Sequence, residues 1–244
     1  MSGRLYAIGV GPGDPELLTL KAVRVIQSGA MIAYPVADPA TGDKNTSFAR
    51  EIAAPHIPVG AKEYGFTMPM RVERTPASDA YDVAARHIAE TLQAGNDVAL
   101  LCEGDPFFYG SAMYLVERLS NRFECEIIPG ITSLTACAAA SGRPLSARNE
   151  RLKILPAPMD ETILEVELAN TEAAAIIKVG RHFGKLRTIL RKLGLADAAI
   201  LIEHATGAGE KITPLNEVEE GKQPYFSTIL TYKGAERWGA TDDQ

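Results

Sequence analysis

The chain has 244 residues, 46% of them hydrophobic and 23% charged, with a formal net charge of −6. This composition is ordinary for a globular protein with enough core for one large or two modest domains. It argues against broad nucleic-acid or acidic-membrane binding, and no apolar run approaches the roughly 18–20 residues that cross a bilayer. The three cysteines, Cys102, Cys125 and Cys137, are odd in number and widely spaced. With no basic segment followed by a long apolar one at the start, they point to reduced thiols in a cytoplasmic protein.

In chain order, Leu5 to Val10 reads as a strand stopped by Gly11-Pro12-Gly13-Asp14-Pro15. Asp14 is placed to cap a following helix whose first turn holds Pro15 and which ends near Gly29. Strand, glycine loop and helix in succession hold cofactors in α/β proteins. A dinucleotide fingerprint is excluded, because its third glycine would fall at Asp14, and no phosphate-loop Gly-Lys-Ser/Thr occurs anywhere.

Met31 to Tyr34 reads as a second strand and Pro35 to Asn45 as loop. Thr46 to Ala54 follows as a short helix, and Pro55 to Pro76 as an irregular, proline-punctuated stretch. Ser78 to Gln93 is the clearest helix, with Val83, His87, Ile88 and Leu92 at helical spacing and Gly95 as the stop. Asp97 to Cys102 is a continuous apolar strand of the kind buried in parallel sheets. A second turn run, Glu103 to Ser111, leads to a helix ending near Leu119 with Ser111 as its cap. Ser120-Asn121-Arg122 marks the expected boundary between domains 1–120 and 121–244. Cys125 to Ile128 then runs into a third turn, Pro129-Gly130-Ile131-Thr132-Ser133, and an alanine-rich helix. Further strands are expected at 153–155, 174–179, 199–203 and 226–231, with helices at 161–168 and 184–193. The pattern is two α/β halves.

Three turn runs, each following an apolar strand, place glycines and short polar side chains where α/β sheets collect ligands, and their convergence on one cleft is expected. Asp105 either orients a ligand hydroxyl or caps the turn before Pro106. The four histidines never fall at metal-ligand spacing, so no metal site is expected. No Gly-x-Ser-x-Gly elbow is present. A basic cluster, Arg143, Arg148, Arg151 and Lys153, is interrupted only by Glu150 among charged residues.

Taken together, Val10 to Pro15 with Leu18-Thr19-Leu20-Lys21-Ala22, Gly104-Asp105-Pro106 and Pro129 to Ser133 resemble the S-adenosylmethionine-dependent tetrapyrrole methyltransferases. Lys178 to Arg181 and Ile202 to Thr206 fit the same family in order and spacing. Ala33-Tyr34-Pro35, the Phe66 to Met70 segment and Glu103 to Ser111 are most similar to the branch that methylates C20 of precorrin-2 in corrin ring synthesis. Where the uroporphyrinogen-III branch carries an Asp proposed as proton acceptor, this chain has Pro35, so no catalytic base carries over.

The resemblance implies two α/β domains with the cofactor in the cleft between them, and a homodimer acting on a tetrapyrrole. It implies S-adenosylmethionine contacts at Pro12, Glu103, Gly104, Asp105, Phe108, Thr132, Ser133, Val179, Ala205 and Thr228, mostly through main-chain groups. The carboxylates of such a substrate suit guanidinium partners, first Arg71, Arg74, Arg143 and Arg148, then Arg181. A cobalt-containing form of the same substrate and a non-catalytic cofactor-binding regulator are the alternatives.

Overall fold

The computed structural model describes residues 1–37, 46–68, 74–221 and 223–233, and of 68 and 74–77 the backbone alone. The chain divides into two compact units, Met1–Thr132 and Ser133–Gln244.

The first unit is built on five parallel strands, β1 (Leu5–Gly9), β2 (Met31–Ala37), β3 (Glu63–Met68), β4 (Val98–Cys102) and β5 (Cys125–Ile128), in the order β3-β2-β4-β1-β5. The central strands have no solvent face. Leu5, Ala7, Val98, Leu100 and Cys102 point into one core with Ile88 and Leu92 of α3 (Arg74–Gln93) and Leu115 and Leu119 of α4 (Ala112–Leu119). The alternate residues Ile8, Ala99 and Leu101 point the other way, against Ala22 and Ile26 of α1 (Leu20–Ile26) and Ile52 of α2 (Phe48–Ala53). A continuous apolar run is what a strand covered on both faces requires.

The second unit has a mixed sheet of β6 (Leu152–Pro156), β7 (Ala173–Ile177), β8 (Ala199–Glu203), β9 (Lys211–Pro214) and β10 (Ser227–Tyr232), ordered β6-β7-β10-β8-β9. Only β6 and β7 run parallel; β10 is antiparallel to both β7 and β8, and β9 is antiparallel to β8. Its helices are α5 (Ser133–Ser141), α6 (Glu161–Ala169) and α7 (Phe183–Lys192). Phe183, Leu186, Ile189 and Leu190 form one buried stripe of α7, which packs with Leu164 and Leu168 of α6 in a single core.

Two α/β units agree with expectation; several boundaries do not. Asp14 accepts from the Glu16 N–H at 2.8 Å and so caps a turn of 3-10 helix at Pro15–Leu17, whereas α1 starts later, capped by Thr19, which accepts from Ala22 N–H at 3.1 Å. The stretch expected to be irregular holds β3, an edge strand that pairs with β2 from Ile32↔Glu63 to Ala37↔Met68. Ser111 makes no capping bond with its side chain. β9 went unforeseen because its four residues are mostly exposed and carry no apolar run. The first unit ends after Thr132 rather than at 120. Ser120 to Arg122 is only the turn between α4 and β5, and β5 pairs with β1 in the first sheet.

Candidate functional site

In the first unit the three turn runs meet at the carboxyl ends of β1, β4 and β5. Gly11 and Gly104 form an isolated antiparallel bridge, with Gly104 N–H donating to Gly11 O at 2.8 Å and Gly11 N–H to Gly104 O at 3.2 Å. Gly9, Gly104 and Gly130 are stacked backbone against backbone. A Cβ on Gly9 would lie 2.5 Å from Gly104 O and 2.6 Å from Gly130 N, and one on Gly130 would run into Gly104 O. Gly104 itself has φ +63°, a conformation that disfavours side chains.

Asp105 joins the second and third loops. Its Oδ1 accepts from Phe107 N–H at 2.9 Å and its Oδ2 from Gly130 N–H at 3.0 Å. Of the two roles expected for it, capping the turn is the one seen, extended by the tie to Gly130. Glu103, half-buried beside it, has its pKa pushed up by burial, an effect opposed by hydrogen bonds from its own N–H and that of Ala49 in α2. Pro12 and Phe108 are half-buried, and the Phe108 ring meets Tyr109 edge-on at 5.1 Å. Thr132 closes this unit.

Segments Val10–Leu17, Glu103–Ser111 and Pro129–Thr132 contain Asp14, Glu16, Glu103 and Asp105 but no Lys, Arg or His. Loop segments with acidic and no basic residues suit a positively charged ligand and repel a phosphate. With Pro12 also lacking an N–H, this cradle fits a sulfonium cofactor better than a nucleotide diphosphate.

In the second unit the expected contacts fall at the carboxyl ends of β7 and β8 and on β10. Val179 is fully buried, and its carbonyl accepts from His182 N–H at 2.8 Å. Ala205 is buried in a tight loop after β8, in which Gly207 N–H donates to His204 O at 2.8 Å and Thr206 N–H to Glu210 Oε2 at 2.6 Å. Thr228 lies buried in β10. Ser133 is the first residue of α5.

The backbone marks the same places. Five non-glycine residues among those described have positive φ: Tyr109 (54°), Arg148 (43°), Lys178 (60°), His204 (47°) and Thr206 (63°). Tyr109 adjoins Phe108, Lys178 adjoins Val179, His204 and Thr206 flank Ala205, and Arg148 is itself a candidate. For a β-branched residue such as Thr206 this conformation is a true outlier, and strain of this kind concentrates at ligand sites.

The basic candidates are less united. Arg151 and Lys153 are taken by Glu172 and Glu167, so the four-residue cluster expected from the sequence does not form as one patch. Arg143 is half-buried, its pKa lowered chiefly by that burial, and has no ion pair among the described residues. Arg148 and Arg181 are exposed. Arg74 opens α3, while Arg71 and the Pro69-Met70 part of the Phe66 to Met70 segment lie outside the described residues.

Sequence reasoning missed a groove of about 500 Å³ lined by Tyr34, Val36, Gly65 and Thr67 of β2 and β3 and by Ser47 and Arg50 at α2. Arg50 there makes a bidentate pair with Glu63 at 2.8 and 3.0 Å. The alternation of Tyr64, Phe66 and Met68 with Glu63, Gly65 and Thr67 was the available signal for that edge strand.

A family model described as Tetrapyrrole (Corrin/Porphyrin) Methylases matches residues 4–219. The precorrin-2 C(20)-methyltransferase of a Sinorhizobium species is 39% identical over 232 residues, 93% of this chain and 94% of that protein. The cobalamin biosynthesis protein CobIJ of Mycobacterium tuberculosis is 39% identical over 96% of this chain but only 47% of its own length, so the chain spans about half of that relative. The cobalt-precorrin-2 C(20)-methyltransferase of Salmonella typhimurium is 29% identical over 96% of this chain and 98% of that protein. Among solved structures, the uroporphyrin-III C-methyl transferase from Thermus thermophilus complexed with S-adenyl homocysteine superposes with a TM-score of 0.67 at 23% identity, covering 94% and 97% of the two chains. At that identity the likeness concerns the fold.

Proposed function

Because the chain belongs to the tetrapyrrole (corrin/porphyrin) methylases, we propose that it transfers a methyl group from S-adenosylmethionine to C20 of precorrin-2, giving precorrin-3A in cobalamin synthesis. The observation that carries this reading is the 39% identity along 94% of the Sinorhizobium enzyme. The cation-favouring loops of the first unit and the strained turns beside Val179 and Ala205 support it independently.

When bound, S-adenosylmethionine supplies an electrophilic methyl group on a sulfonium centre. Pro12, Glu103, Gly104, Asp105, Phe108 and Thr132 of the first unit, and Ser133, Val179, Ala205 and Thr228 of the second, are the residues assigned to hold it. The meso carbon C20 is conjugated to pyrrolic nitrogens and is nucleophilic without a base. What the protein must contribute is alignment, worth up to roughly 7–11 kcal/mol when reacting atoms are well oriented. Glu103 and Asp105 favour positive charge near the reacting centre and do not themselves attack it. The proton lost from C20 passes to water or to a substrate nitrogen, and no side chain is given that task.

A second reading, the same methylation of a cobalt-containing substrate, is favoured by the likeness to the Salmonella relative. Assaying purified protein side by side on metal-free and cobalt-loaded precorrin-2 tests both; turnover of the metal-free form supports the first reading. Cofactor binding without turnover of either substrate would instead mark a regulator. A homodimer working in the cytoplasm completes the proposal on the strength of the family resemblance, and sedimentation of the purified protein tests the dimer.

A further inference from the structure

Most cationic side chains with a recorded contact on the described surface are held by acids. Arg4 meets Glu124 and Glu126, Arg50 meets Glu63, Arg118 meets Asp82, Arg187 meets Glu220 and Lys192 meets Glu165. The segment that follows β7 departs from this rule. Arg181 is exposed, and its Nε donates to the neighbouring His182 Nε2 at 3.4 Å. Lys185 donates one ammonium hydrogen to the Met159 carbonyl at 2.6 Å. Neither cation is in an ion pair among the described residues.

Arg181 lies in the 3-10 turn Gly180–His182 and Lys185 four residues on in the first turn of α7, and both cations act on the ring of His182 between them. Like charges at that spacing repel. Burial first, and then the field of Lys185 and Arg181, lowers the pKa of His182, whose ring accepts from Arg181 and therefore carries its hydrogen on Nδ1. In a chain of net charge −6, such an uncompensated cationic pair stands out. It lies two residues beyond Val179, next to the left-handed Lys178.

We propose that Arg181 and Lys185 together receive one acetate or propionate carboxylate of the tetrapyrrole substrate, with His182 as the positioning residue that orients the guanidinium. This rests on the tetrapyrrole reading above. A guanidinium and an ammonium that flank one imidazole suit a carboxylate, the first through its planar fork and the second as a point charge. An inorganic oxyanion such as phosphate shares that chemistry, so the test must separate the two sources.

The experiment uses the intact protein and its Arg181→Ala, Arg181→Lys and Lys185→Ala variants. Steady-state methylation of precorrin-2 is measured alongside fluorescence titration with uroporphyrin, a porphyrin octacarboxylate, with and without inorganic phosphate. Arg181→Ala is expected to raise KM for precorrin-2 about tenfold, the loss of one charge-assisted contact, with kcat and KM for S-adenosylmethionine little changed. Uroporphyrin affinity should fall by a similar factor, and Arg181→Lys should restore part of both. Unchanged KM and unchanged uroporphyrin affinity in Arg181→Ala and Lys185→Ala would overturn the inference. So would phosphate saturating the patch without displacing uroporphyrin. A wild-type protein inactive on precorrin-2 would count against the functional reading alone, and the titration would still decide this one.

Discussion

Asp105 Oδ2 accepts the Gly130 N–H at 3.0 Å, and so one carboxylate holds together two loops separated by 25 residues. Its other oxygen fixes Phe107 N–H, so the side chain is committed on both sides. Replacing Asp105 by Ala should leave a partly buried amide without its partner and cost about 1–3 kcal/mol. Urea unfolding measures this, and isothermal titration with S-adenosylmethionine should show a parallel loss of affinity. Asp105→Asn, which keeps one acceptor, should fall between.

Gly130→Ala makes the companion prediction. The added methyl collides with the Gly104 carbonyl, which belongs to backbone already tied to Gly11, and neither neighbour is free to yield. Destabilisation by roughly 2–4 kcal/mol is expected, at the severe end for a single substitution. A urea midpoint equal to wild type would show that the three loops are not packed as described.

Thr206→Gly should act in the opposite direction on stability. Relieving φ +63° at a β-branched residue is expected to stabilise the protein by about 1 kcal/mol. If the strained turn exists to present Ala205 to the cofactor, affinity for S-adenosylmethionine should fall as thermal stability rises. A gain in both would separate the strain from function.

Thiol reactivity follows from burial. The Cys102 and Cys137 thiols are buried, with pKa values pushed up to about 12 and about 11 respectively. Since the thiolate is the reactive species, a disulfide reagent at neutral pH should modify at most the half-exposed Cys125 in the native protein, and all three cysteines after unfolding.

The pH dependence of stability has a clear sign at Glu172. Its carboxylate accepts from Arg151 Nη2, Nε and N–H, which holds its pKa down to about 2 from an ordinary value of 4.5. A depressed folded pKa means that the stabilisation is fully present above pH 4.5 and is lost as pH falls through about 2. The difference in urea midpoint between wild type and Glu172→Gln should therefore be constant near neutrality and shrink below pH 4.5. The pair is exposed, so the difference should be small and weaken with salt.

The parts of the fold legible in the sequence were those with strong local grammar. Val98–Cys102 announces itself as a strand buried on both faces, and α3 and α7 carry their apolar stripes openly. β3 was hidden because a half-exposed edge strand with a glycine and flanking prolines looks like loop until β2 supplies its hydrogen bonds. The domain boundary was misplaced because a helix-to-strand turn and an interdomain connection share the same polar residues; only the pairing of β5 with β1 distinguishes them. At the site, the glycine runs were visible, but their mutual contact was not. Backbone strain at Lys178 and Thr206 has no sequence signature, since neither residue type asks for a left-handed conformation.

Regiospecific methyl transfer to a meso carbon is the proposed activity of this protein. The most direct measurement is incubation of the purified protein with precorrin-2 and S-adenosylmethionine labelled with carbon-13 in its methyl group, followed by NMR of the isolated product. A single labelled methyl group on C20 is the predicted result. A label at any other ring position, or unmethylated precorrin-2 recovered while the protein binds the cofactor, would contradict it.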